Sequence, residues 1–192
     1  MTERRSFSHA IAEGDGISVI ASVDDPDSAR HAEQQRAEAL VVRHDPQAIR
    51  EATNLPILWR AEVPPEQAAA AADAVLLVFD DDADVEALHE QAMALGLDCA
   101  VEVRNEDDLE EALERIDPEI FLLSPVEGDD DETPLEVVLD LLAAVPAGKL
   151  AIADLPLVTP RESQELEQAG CDAVIVSTRD IAVLAGELPP DV

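Results

Sequence analysis

Leu150-Ala151-Ile152-Ala153, then Thr159-Pro160 opening the polar stretch Pro160–Ala169, then Gly170, then Ala173-Val174-Ile175-Val176: this run decides the fold. Its two apolar, largely β-branched segments read as buried strands, and the polar stretch between them as a helix. Thr159 supplies a hydroxyl to the first unpaired amides of that helix, and Pro160 suits the first turn, where its missing N–H costs nothing. Gly170 stands where a left-handed cap belongs. A strand, a helix and a second strand in this order lay the strands parallel, with the helix covering one face.

The same unit repeats along the rest of the chain. Further strands are expected at Ser18–Val23, Ala39–Arg43, Ile57–Arg60, Ala74–Phe79, Cys99–Val103 and Ile120–Leu123. Helices are expected at Pro26–Ala37, Pro46–Thr53, Pro65–Ala71, Ala83–Leu95, Glu106–Ile116, Pro134–Ala144 and, last, Asp180–Gly186. Asp25-Pro26, Asp45-Pro46 and Thr133-Pro134 repeat the start signal, and Gly96 repeats the stop. Eight alternating strands and helices close a (β/α)8 barrel, whereas an open doubly wound sheet usually stops at about five or six strands. Such barrels typically run to about 250 residues. This chain has 192, so its loops must be short. The expectation is a single α/β domain, a (β/α)8 TIM barrel over residues 1–192, with 1–16 as a short lead-in.

Composition narrows the function. There are 44 Asp and Glu against 12 Lys and Arg, a formal charge of −32. Such a surface repels phosphate backbones and anionic membranes, so neither nucleic acid nor membrane is an expected partner. No apolar run spans a bilayer and residues 1–5 hold no signal-peptide core, which points to the cytoplasm. Eleven of the basic residues are Arg, the only Lys is Lys149, and aromatics make up 2%. That balance suits a halophilic protein in molar salt, where self-repulsion is screened and charge keeps the chain dissolved. The acidic loop Glu127–Glu132 and the run Asp80–Asp82 then read as solvated segments rather than metal sites. Two cysteines, Cys99 and Cys171, exclude a disulfide framework and fit core positions at strand starts.

Active sites of these barrels lie at the C-terminal ends of the strands. Those positions hold Ser22 and Asp24, Arg43 and His44, Arg60 and Glu62, Asp80, Glu102 and Arg104, Ser124, Asp154, and Ser177-Thr178-Arg179. Four arginines (Arg43, Arg60, Arg104 and Arg179) converge on this one face, as a site for an anionic small molecule requires. The competing reading pairs them with Asp24, Glu62, Glu102 and Asp154 to close the barrel top. Schiff-base chemistry is excluded because Lys149 opens a strand at the opposite end. His44, Glu62 and Asp80 are too scattered to count as a metal site, and neither metal nor cofactor is expected. Trp59 should face outward, since alternation sends Leu58 and Arg60 inward.

Several of these segments resemble one family. Ser6-Phe7 followed by Gly16-Ile17-Ser18-Val19-Ile20-Ala21-Ser22-Val23-Asp24 is similar to the opening of indole-3-glycerol phosphate synthase. Leu55-Pro56-Ile57-Leu58-Trp59-Arg60 and Asp73-Ala74-Val75-Leu76-Leu77 resemble its third and fourth strands. Leu95-Gly96-Leu97-Asp98-Cys99-Ala100-Val101-Glu102-Val103 resembles the fifth, and Ala169-Gly170-Cys171-Asp172-Ala173-Val174-Ile175-Val176 the eighth. The resemblance implies the barrel and a carboxy-lyase reaction, indole ring closure with loss of carbon dioxide and water. It places the family's strand-five glutamate at Glu102 and the position of its strand-three lysine acid at Arg60. A guanidinium holds its proton near neutrality and makes a poor acid. The strand-one Glu and Lys correspond to Ser22 and Asp24, the strand-six Asn falls in Leu122-Leu123-Ser124, and the strand-seven Ser-Gly pair falls at Asp154-Leu155. Ser177 replaces the strand-eight glycine, with Thr178 beside it.

Three readings follow. In the first, the chain is a member of the family that does not close the ring; Arg43, Arg104, Ser177, Thr178 and Arg179 hold a phosphate or carboxylate metabolite, or the protein regulates the true enzyme. In the second, it is an active lyase in which Glu102 and Arg60 replace the usual set. In the third, the barrel docks a partner, either a second copy or another tryptophan-pathway enzyme.

Overall fold

The computed structural model describes residues 6–13, 16–61, 63–79, 84–125, 133–156, 158–177 and 181–184. Eight parallel strands close in sequence order into a barrel: β1 (Ser18–Ser22), β2 (Ala39–Val42), β3 (Ile57–Trp59), β4 (Ala74–Leu77), β5 (Asp98–Val103), β6 (Ile120–Leu123), β7 (Leu150–Asp154) and β8 (Ala173–Ser177). The seam is made by β1 and β8, in register from Ser18 beside Ala173 to Ser22 beside Ser177. The helices are α1 (Phe7–Ala12), α2 (Pro26–Gln34), α3 (Gln47–Arg50), α4 (Pro65–Ala68), α5 (Val85–Ala94), α6 (Glu106–Arg115), α7 (Pro134–Ala144), α8 (Pro160–Ala169) and α9 (Ile181–Leu184). The expected barrel is therefore present, and its strands fall within two residues of their expected bounds.

The helices depart more. The first expected helix ends at Gln34, because Arg36 takes a left-handed φ of 68° that no helix continues through. The expected helices at Pro46–Thr53 and Pro65–Ala71 shrink to single turns. The start signals act as expected elsewhere. Thr133 and Thr159 each close a reciprocal capping box, with Glu136 and Glu162 reaching back to the Thr amide. Gly170 caps α8 at a φ of 95°.

Alternation along the strands sorts the core into two shells. Inside the barrel lie Ile20, Val41, Leu58, Leu76, Leu122 and Ile152 with small partners such as Ala39, Ala74 and Ala100. Outside, Val19, Leu40, Trp59, Val75, Val101 and Val174 pack against the helices, so Trp59 faces outward as alternation demands. Both cysteines are buried, and desolvation pushes each thiol up to about 12, which leaves them inert fillers. Phe7 and Ile11 of α1 belong to the inner shell and stopper the N-terminal end. The Ser8 amide bonds Asp98 at 2.7 Å and the Ser18 hydroxyl bonds the Ile11 carbonyl at 3.0 Å, which holds the stopper in place. The opposite end is the one at which such barrels carry their sites.

Candidate anion site at the barrel mouth

The inward-facing position at the C-terminal end of each strand falls just past the last inner apolar side chain, so strand geometry alone delivers polar groups to the mouth. Arg60 follows β3, Glu102 lies on β5, Ser124 follows β6 and Asp154 ends β7. These four meet. Arg60 Nη2 donates to Glu102 Oε1 at 2.7 Å and to Ser124 Oγ at 3.2 Å, and its Nη1 pairs with Asp154 Oδ2. Arg104 Nη2 donates to the other oxygen, Glu102 Oε2, at 2.6 Å. Arg60 is thus clamped across the barrel between two carboxylates and is only 13% exposed.

The electrostatics follow from that clamp. Burial works against the charge on Arg60, yet Asp154 and then Glu102 outweigh it and raise its pKa above the ordinary value. Burial likewise disfavours ionised Glu102, but the hydrogen bonds and charges of Arg104 and Arg60 hold its carboxyl below the usual range. An acid that never releases its proton and a base of lowered basicity make a poor acid–base pair.

Beside the clamp lies a cleft of about 220 Å3, lined in part by Ser22, Arg43, Asp154, Leu155, Pro156 and Ser177. Arg43 and Ser177 are exposed. Arg43 makes no ion pair among the described residues. Of the expected anion-binding set, Arg43 and Ser177 line this cleft, Arg104 is turned to Glu102, and Thr178 and Arg179 lie outside the described residues. Glu62 and Asp80 also lie outside them, and Asp24 is exposed. Among the described residues no group of three His, Cys, Asp or Glu side chains is placed to hold a metal. Lys149 pairs with Asp117 at 2.8 Å, where the chain enters β7, far from the mouth. Of the apolar wall of the cleft, Leu155 entered the sequence reading only as half of the strand-seven pair, and Pro156 was not singled out. The signal was the proline two residues past a strand end, where a bare amide would otherwise be offered.

With this geometry in hand, the chain can be set beside known proteins. The family model of indole-3-glycerol phosphate synthase matches residues 19–180. The chain belongs to the indole-3-glycerol phosphate synthase family. The synthase of Geobacillus thermodenitrificans is 29% identical over 138 residues, covering 68% of this chain and 53% of that protein. The synthase of a Polaromonas species is 33% identical over 113 residues, covering 55% of this chain and 40% of its own length. The chain thus spans about half the length of the curated relatives it matches. Among solved structures, N-acetylmannosamine-6-phosphate 2-epimerase from Clostridium perfringens superposes with a TM-score of 0.70 at 15% identity, over 91% of this chain and 90% of that one. Thiamine phosphate pyrophosphorylase from Pyrococcus furiosus does so with 0.66 at 17% identity, over 88% and 90%. At that distance the likeness establishes the barrel and nothing finer. Arg60, Ser22 and Asp154, where the sequence resemblance expects departures from the family, lie together at the mouth and its adjoining cleft.

Proposed function

We propose that this synthase-family barrel does not close the indole ring and instead binds a small anionic metabolite at its mouth. One observation carries the reading: Arg60, at the position of the family's lysine acid, is held by Glu102 and Asp154 together. A proton donor must reach the substrate and then let its proton go, and this guanidinium does neither. The clamp also uses both oxygens of Glu102, so the surviving family carboxylate faces its own arginines rather than a substrate. Among the described residues of the mouth, Arg43, exposed in the adjoining cleft, is the arginine outside the clamp. Binding without turnover suits a regulatory homologue, working beside another copy or another enzyme of the same pathway. The acidic composition fits a halophilic, cytoplasmic setting, and among the described residues no helix is long and apolar enough to cross a membrane.

The test is a direct assay of indole-glycerol phosphate formation in molar potassium chloride, with wild type and Arg60→Lys side by side. Neither protein is expected to turn over, because a lysine placed at 60 would still sit between Glu102 and Asp154. Turnover by the wild type that Arg60→Ala abolishes would establish the active-lyase reading instead.

A further inference from the structure

We infer that the mouth cleft selects a small carboxylate carrying a hydroxyl group over a phosphate; the inference rests on the anion-site reading above and names the ligand class. In molar salt the screening length is about 3 Å, so the chain's overall negative charge does not decide what binds, and the groups in contact do. Among the described residues the charged groups lining the cleft are Arg43 and Asp154, one of each sign, while Arg60, Arg104 and Glu102 are spent on one another in the clamp. A monoanion on Arg43 leaves one net negative charge beside Asp154, whereas a phosphate monoester, nearly doubly charged above about pH 6, leaves about two.

Asp154 sharpens the choice because it belongs to both clamp and cleft. Its Oδ2 serves Arg60 and lies 3.5 Å from Ser124 Oγ, while among the described residues its Oδ1 accepts no hydrogen bond. That oxygen presents an acceptor to the cleft: it welcomes an O–H and repels phosphate oxygens. The backbone agrees. Leu155 and Pro156 form the adjoining wall with no glycine to let a phosphate approach bare amides, and Pro156 has no N–H at all. Arg43 can take a carboxylate through two parallel N–H bonds, and a volume near 220 Å3 limits the body to a few carbons against Leu155.

The test is calorimetric titration of the full chain with lactate, propionate and inorganic phosphate. Potassium chloride is held at one concentration, so that chloride competes equally in every arm. Lactate should saturate a single site, propionate should bind several-fold more weakly, and phosphate at least tenfold more weakly. Asp154→Asn should bring phosphate to within a few-fold of lactate. Arg43→Gln, which lies outside the clamp and should leave the fold intact by circular dichroism, should abolish lactate binding. Phosphate binding as tightly as lactate, or propionate matching lactate, would overturn this inference and leave the anion site standing. No anion bound by the wild type, or lactate binding unchanged in Arg43→Gln, would remove the anion site itself.

Discussion

The two ends of this barrel use carboxylates in opposite ways. At the mouth, Glu102 and Asp154 bond side chains: Arg60, Arg104 and Ser124. At the N-terminal end, carboxylates bond the backbone. Glu38, just before β2, accepts the Val19 amide of β1 at 2.8 Å; Asp73, before β4, accepts the Ile57 amide of β3 at 2.9 Å; Asp172, before β8, accepts the Ala151 amide of β7 at 2.8 Å. Each joins a strand to the one before it, and Asp98 does the same for the stopper helix through Ser8. Arg50 adds a second stitch, bonding Asp73 at 2.9 Å and the carbonyls of Thr53 and Leu55. A carboxylate that fixes an amide fixes the register of a strand. One that fixes an arginine fixes only a side chain, which substitution can re-aim without moving the sheet. On the proposed reading, stability is concentrated at the closed end and recognition at the open one, as the barrel architecture generally divides them.

That contrast can be broken by substitution, and the largest effect is expected at the closed end. Asp73→Ala strips a buried pair whose side chains are each 8% exposed, leaving the Arg50 charge and the Ile57 amide without this partner. It should cost about 3–5 kcal/mol in urea unfolding at fixed molar salt. A loss below about 1 kcal/mol would mean the stitch is ornamental.

The next pair should move in opposite directions. Glu102→Gln removes half of the Arg60 clamp and should cost about 1–3 kcal/mol near neutral pH. Because the Glu102 pKa is lowered on folding, its contribution is present above the ordinary carboxylate range and is lost as pH falls through the lowered value. The gap between wild type and Glu102→Gln should therefore shrink on acidification. Asp172 behaves the other way. Burial raises its pKa against the pull of the Ala151 amide, so its contribution is greatest below the unfolded value and fades as pH rises through the folded one. Asp172→Asn keeps an acceptor for that amide and sheds the buried charge. At neutral pH it should be at least as stable as wild type, and a clear loss there would show that the negative charge itself matters. The smallest effect belongs to Arg104→Ala, whose side chain is 41% exposed; it should change unfolding by no more than about 1 kcal/mol.

Much of this architecture was legible in the sequence because period-two alternation and helix caps are local signals. Alternation placed Leu58 and Arg60 inward and Trp59 outward, and the strand-end rule brought Arg60, Glu102, Ser124 and Asp154 to one face. What alternation does not encode is which of several charges at a common mouth will pair, since that depends on the barrel's diameter and on the reach of each side chain. Hence the choice between an arginine cluster open to a ligand and one closed on its own carboxylates stayed undecided until distances were known. The closed end was harder to foresee. In a chain with 44 acidic residues, Glu38, Asp73, Asp98 and Asp172 look like any other solvated charge. Only their position, one residue before a strand or at its first residue, distinguishes them. The shortness of α3 and α4 was not foreseen for a third reason: their composition, with five successive alanines at Ala68–Ala72, favours a longer helix, so no local signal marks the stop.

The most direct test of the account is a double-mutant cycle between Arg60→Met and Glu102→Gln, read by urea unfolding at fixed molar salt. If the mouth is closed on itself as described, the double variant should be less destabilised than the sum of the singles by about 1–3 kcal/mol, the signature of a direct pair. Additivity within about 0.5 kcal/mol would mean that Arg60 is not held by Glu102. The strand-three cation would then be free to face a substrate, contradicting the reading of this mouth as a binding site without ring closure.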